Sequence, residues 1–236
     1  MLFLLLLLMQ PERAWAAYEN VEFSSLTNHD GLTNSQVGAI LKDTRGYIWF
    51  GTQSGLCRFD GFRMKTFYYI NTDDKSLPNN SVDELQQDYG GNIWVHTSVG
   101  YCIYKYDEEQ FERKPEEWLK NIHVQGPPYK LLIDKDKNMW IAVYGQGLYY
   151  HNAKTKNTYL FKFTKKAQPG CLKEGNISKI TEVDGDALIT YGDGTICRVN
   201  GQKQKALWYN SFLATHKVAG DNGAYTFYDG IGGFWV

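Results

Sequence analysis

KDTRGYIWFGTQSGLCRFDG, residues 42–61, decides how this chain reads, because the pattern comes back. It recurs 45 residues on as QDYGGNIWVHTSVGYCIYKYD (87–107) and 46 residues after that as IDKDKNMWIAVYGQGLYYHN (133–152). Trp49, Trp94, Trp140 and Trp235 each follow an aspartate by six residues: Asp43, Asp88, Asp134 and Asp229. The 95 residues between Trp140 and Trp235 leave room for one more unit, and ITEVDGDALITYGDGTICRVNG (180–201) supplies it, with Leu188 or Ile189 in the place of tryptophan. A period of this length marks a repeat protein.

Within the first unit VGAILKD, YIWFGT, LCRFD and RMKTFYY read as short strands, separated by the turn-forming DTRG and QSG. Four strands per unit predict an all-β fold of four-stranded antiparallel β-propeller blades. The expected blades cover about 37–68, 82–114, 128–163 and 177–209, with a fifth starting at 224–236, a partial ring of about four and a half. The composition agrees: 15% aromatic residues with 23 Gly suits half-buried strands joined by tight turns. Asp43 suits the turn because its carboxylate can take the turn amides, and Gly46 and Gly91 can adopt the positive φ that closes a hairpin. Trp49, Trp94 and Trp140 are expected in the core.

The apolar run Leu2–Met9 ahead of Ala14-Trp15-Ala16 reads as the h-region and cleavage site of a signal peptide, residues 1–16. As a helix it would span only about 12 Å, too little for a bilayer. Tyr18–Phe23 reads as a closing strand without a blade of its own. Residues 17–236 are therefore expected to be an incomplete propeller, the N-terminal part of a longer protein, unstable or oligomeric when isolated.

Formal net charge is −1, with 25 basic and 26 acidic residues spread without blocks, which argues against nucleic acid as a partner. Cys57, Cys102 and Cys197 hold equivalent places in successive units, too far apart for disulfides, so they and Cys171 are expected as buried thiols. Asp134-Lys135-Asp136-Lys137-Asn138 imitates the start of a calcium loop, but Met139 stands where that loop needs glycine and Gly145 where it needs glutamate. Neither metal nor cofactor is expected.

LTNHDGLTNSQVGAILKDTRGYIWFGTQSGLCRFDG, residues 26–61, resembles the regulator-propeller repeat of the periplasmic sensor regions of bacterial hybrid two-component systems, above all those of gut Bacteroidetes. The residues that carry the resemblance are Asp30-Gly31-Leu32, Asn34, Asp43, Gly46, Ile48 to Thr52, Gly55-Leu56 and Arg58 to Gly61. His96 and Ala142 replace the repeat's Gly51 in the second and third units. The resemblance implies a periplasmic ligand-sensing propeller of an inner-membrane histidine kinase. Such a protein is homodimeric, binds an oligosaccharide and controls glycan-utilisation genes through a phosphorelay. The kinase and the membrane anchor would lie beyond this chain, so no catalytic residue is expected in it and no histidine inherits the phosphorylated role.

Sugars are gripped by aromatic platforms and planar hydrogen-bonding side chains. On the face formed by blade connectors and by the turns between second and third strands, the ligand candidates are Gln53, Ser54, His96, Trp118, Tyr144 and Gln146. Two other classes compete: a scaffold for protein or dimer contacts, and a carbohydrate-active propeller enzyme. The enzyme would need two carboxylates converging on one cavity.

Overall fold

The structure, a computed structural model, describes residues 24–165, 172–210, 227–228 and 234–235. Its strands form successive antiparallel meanders. Blade 1 is β1 (Val37–Lys42), β2 (Ile48–Thr52), β3 (Gly55–Phe59) and β4 (Met64–Phe67). Blade 2 is β5 (Val82–Gln87), β6 (Ile93–Thr97), β7 (Gly100–Lys105) and β8 (Gln110–Glu112). Blade 3 is β9 (Pro128–Ile133), β10 (Met139–Val143), β11 (Gly147–His151) and β12 (Thr158–Thr164). A fifth strand, β13 (Leu172–Lys173), joins it in parallel beside the end of β12. Blade 4 is β14 (Ile177–Val183), β15 (Asp186–Tyr191), β16 (Ile196–Asn200) and β17 (Lys205–Asn210), and a short hairpin, β18 (Phe227–Tyr228) with β19 (Phe234–Trp235), follows. The strand-rich sequence has produced an all-β propeller architecture. Tyr18–Phe23, Cys171 and Asp229 lie outside the described residues, as does the side chain of Trp235.

The repeated aspartate has a second role that the turn alone does not reveal. Trp49, Trp94 and Trp140 are almost wholly buried between neighbouring blades, and a buried indole N–H needs an acceptor. Asp43 accepts it at 2.7 Å, Asp88 at 3.0 Å and Asp134 at 3.4 Å. The other carboxylate oxygen closes the turn, taking the amides of Arg45 and Tyr47 in blade 1, Gly90 and Asn92 in blade 2, and Asn138 in blade 3. Gly46 and Gly91 do have positive φ, 92° and 85°, and in blade 3 Lys137 takes that conformation at 64°. One side chain thus ties each hairpin to the core beneath it. Burial raises the carboxyl of Asp134 above the usual carboxylate range, against the hydrogen bonds from Asn138.

In blade 4 the tryptophan register falls on Leu188 and not on Ile189. Leu188 pairs with Arg198 as Trp49 pairs with Arg58, while Ala187 and Ile189 face blade 3 as Ile93 and Val95 face blade 1. Leucine has no N–H to satisfy, and the residue six before it is Glu182, which instead accepts the amide of Lys135 from blade 3 at 2.8 Å. Cys57, Cys102 and Cys197 are buried free thiols. Burial pushes Cys197 up to about 12 and Cys102 higher still, so neither is a nucleophile at neutral pH.

Candidate functional site

Each blade has two ends. At one end lie the Asp turns and the hairpins between third and fourth strands. At the other lie the turns between second and third strands, together with the connectors that carry the chain to the next blade. Among the described residues, six of the nine exposed large hydrophobic side chains belong to this second end: Val37, Tyr68, Tyr69, Ile70, Val99 and Tyr144. This end is therefore the more apolar of the two and the candidate contact surface.

Two cavities of about 470 and 460 Å³ open on this face beside blades 2 and 3, the second reaching β14 of blade 4, and they share His96 as a common wall. His96 stands at the register of Gly51. In blade 1 a Cβ at that position would lie 2.6 Å from Val82 Cγ1, so the first two blades close up over it. Between blades 2 and 3 the same place is open, and the imidazole fills part of it. Its Nδ1 lies 2.6 Å from Asp83 Oδ1, a contact that holds the Asp83 carboxyl below its usual range, and its ring lies 4.5 Å from that of Tyr101.

The outer cavity is walled by Tyr129 and Tyr144, whose rings stack at 4.0 Å and 19°. Tyr144 is 68% exposed, so its outer ring face is available as a platform. Arg113, also in the wall, is committed elsewhere, bonded to Ser76 and to the carbonyls of Asp73 and Leu77. The inner cavity lies along the innermost strands and is lined by Asp83, Glu84, Lys130 and Lys179. Both oxygens of Glu84 are engaged, one by Gln86 and one by the Tyr101 hydroxyl at 2.9 Å. Burial beside Glu84 drives the Tyr101 hydroxyl far above the ordinary phenol range, which keeps it protonated and donating. The same oxygen accepts the amide of Leu131 at 3.1 Å, joining blades 2 and 3 behind the cavity.

Of the residues expected from sequence, His96 and Tyr144 come together in this cleft. Gln146 shares the turn with Tyr144, but its amide donates to Gln125 O at 2.9 Å and its carbonyl accepts the Tyr149 hydroxyl at 2.5 Å. Gln53 and Ser54 lie on the same face of blade 1, where they take hydrogen bonds from Ser81 and Asn34 and hold the connectors in place. Trp118 goes elsewhere. The connector after blade 2 coils into a short helix, α1 (Pro115–Leu119), that carries the half-buried indole edge-on to Trp94 and within 6.3 Å of Tyr89. Tyr89 belongs to the β5–β6 turn, at the opposite end of the blade, so Trp118 packs against the core and lies outside the cleft.

Tyr129, Tyr101 and Asp83 escaped the sequence reading. A signal was present: Gly38, Asp83, Tyr129 and Ser178 share one register of the innermost strand, and Gly51, His96, Ala142 and Thr190 one register of the second. These registers change chemistry from blade to blade, whereas the Trp and Asp registers hold through blades 1 to 3.

The sequence of residues 31–54 matches the family described as two component regulator propeller. The chain carries a regulator-propeller repeat. Around this repeat the whole fold resembles larger proteins. The extracellular domain of a candidate hybrid two component system, BT3049 from B. thetaiotaomicron, superposes with a TM-score of 0.59 at 22% identity, over 90% of this chain and 28% of that one. The extracellular domain of a candidate one component system, BT4673 from the same organism, gives 0.54 at 17%, over 87% and 29%. PorZ, a surface component of the type-IX secretion system of Porphyromonas gingivalis, gives 0.50 at 11% identity, over 77% and 23%. The chain thus spans less than a third of the length of these structures, and at such identities the likeness establishes the fold. No curated protein matches. Among the described residues no helix is long and apolar enough to cross a membrane, and no group of three or more His, Cys, Asp and Glu side chains could hold a metal ion.

Proposed function

We propose that this chain is the extracytoplasmic ligand-sensing propeller of a hybrid two-component histidine kinase, that it recognises an oligosaccharide, and that the phosphorelay it feeds controls glycan-utilisation genes. The observation that carries the reading is the cleft between blades 2 and 3, where an exposed tyrosine platform stands beside the His96–Asp83 pair on the face that gathers the exposed aromatics. A sugar ring laid on Tyr144 would present its hydroxyls to His96 and Asp83, and the polar inner cavity beyond could take a further residue. The regulator-propeller repeat and the likeness to extracellular domains of two-component systems support the same reading. The kinase, the membrane anchor and a dimer contact belong, on this reading, to the rest of a longer protein, and the propeller does no chemistry itself.

Isothermal titration of the chain against a panel of oligosaccharides tests this. A binding sugar should lose roughly tenfold in affinity with Tyr144→Ala, the scale of one aromatic contact. At 100 times Kd it should stabilise the fold by about 2.7 kcal/mol. A panel without a binder, combined with concentration-dependent association of the chain, would favour a scaffold for protein contacts instead.

A further inference from the structure

A second cleft, on the opposite face from the one above, has the chemistry of a sugar site. It measures about 380 Å³ and lies between the β11–β12 hairpin of blade 3 and the β16–β17 hairpin of blade 4, within the size range of small-ligand pockets. Its form comes from Gly201, whose backbone lies on the ring of Tyr150 so closely that a Cβ there would sit 2.5 Å from the ring carbons. This contact seats the β16–β17 hairpin against blade 3 and sets Gln202 and Gln204 in the wall facing Asn157 and Tyr159. The opposing hairpin is fixed by Asn152, whose carbonyl takes the amides of Lys154 and Thr155 and whose amide donates to the Tyr150 hydroxyl at 3.1 Å.

The donor set defines the ligand. None of the lining residues is acidic and the one ionic group is Lys154, so neither a cation nor a multiply charged anion is matched. The side-chain amides of Asn157, Gln202 and Gln204 and the hydroxyl of Tyr159 make no hydrogen bond to the described protein, which leaves three planar amides beside the half-buried phenol ring of Tyr159. Amides offer donor and acceptor side by side, as a vicinal diol does, and the ring offers an apolar surface for sugar C–H groups. We propose that this cleft binds a neutral saccharide, independently of the His96–Tyr144 cleft and of the signalling role assigned to it.

The test is amide-shift mapping on the full chain with maltotetraose, cellotetraose and mannotetraose as neutral probes and tetragalacturonate as an acidic one. Expected are shifts clustered on 152–159 and 201–204 for at least one neutral probe, with affinity weakened about fivefold by Gln202→Ala and by Gln204→Ala, the scale of one hydrogen bond. Both glutamines are exposed, so the variants should fold, and an unchanged melting temperature checks this. Neutral probes that shift nothing here overturn the proposal, as does a shift confined to the Tyr144 face or abolished by Tyr144→Ala alone. Preference of this cleft for tetragalacturonate overturns the ligand class. Because the two clefts are read by separate residues, failure here leaves the Tyr144 titration standing, and the converse holds too.

Discussion

A carboxylate that is 5% exposed and accepts an indole N–H, two turn amides and the hydroxyl of Tyr106 is the residue on which blade 1 depends most. Replacing Asp43 by alanine strands those donors, and an unsatisfied buried donor costs about 1–3 kcal/mol. Asp43→Ala should therefore lower unfolding free energy by about 3 kcal/mol in urea titration. Asp43→Asn should lose less, since its carbonyl can still take the turn amides, although its NH2 cannot accept the indole N–H of Trp49. His151 is a second residue with a measurable signature. It is fully buried, with Nδ1 on Thr158 Oγ1 at 2.9 Å and Nε2 unpartnered, and burial together with Lys156 lowers its pKa from the ordinary 6.5. A group that binds its proton less well folded than unfolded contributes stability that is complete above pH 6.5 and lost as pH falls below it. Thermal melts from about pH 7.5 to 5 should thus show a falling Tm, and His151→Phe should flatten that slope; an unchanged slope would remove His151 as its source.

At the scale of the hairpin and the strand, two glycines of the first repeat separate two different requirements. Gly46 has φ 92°, and a Cβ placed on it would meet nothing within 4 Å, so its need for glycine is conformational. Gly51 has ordinary φ, but a Cβ would press on Val82 of the neighbouring blade, so its need is steric. Gly46→Ala should cost about 1 kcal/mol through left-handed backbone strain alone. Gly51→Ala should cost about 1–3 kcal/mol through overpacking, and should be partly rescued by Val82→Ala, which makes room for the added methyl. Denaturant titrations of the single and double variants check both. The repeat motif contains these glycines without distinguishing them, because a one-dimensional pattern records that a side chain is excluded and not what excludes it. Trp118 illustrates the same limit: its place after blade 2 is plain in the sequence, but the short helix that turns it onto Trp94 depends on contacts with a neighbouring turn.

Across the whole molecule, each pair of described blades is joined by apolar packing and by side chains that bond to the next blade's backbone. The clearest is Gln86 of blade 2, whose amide donates to Leu131 O at 2.9 Å and whose carbonyl accepts the amide of Ile133 at 2.5 Å, so that it continues the hydrogen bonding across the gap between two innermost strands. Gln87 serves blades 1 and 2 in a comparable way, accepting the amide of Thr44 at 3.0 Å. Gln86→Leu should leave the blades folded but open the seam between the second and third. Hydrogen exchange at the Ile133 amide should then rise roughly tenfold, the loss of about 1.4 kcal/mol of local protection, with β2 and β3 unaffected; uniform acceleration everywhere would mean that the blades unfold as one unit. The sequence by itself determined the all-β class, the period, the Asp turns and the buried tryptophans, because these are repeated local demands: strand alternation, a turn with positive φ, and an aromatic that must be covered; the bond from each indole to its aspartate came only with the structure. Only the tertiary structure decided which of the candidate ligand residues come together. His96, Asp83, Tyr129 and Tyr144 are dispersed along the chain, and a cleft exists among them because blades 2 and 3 stay apart at a register where blades 1 and 2 close over a glycine.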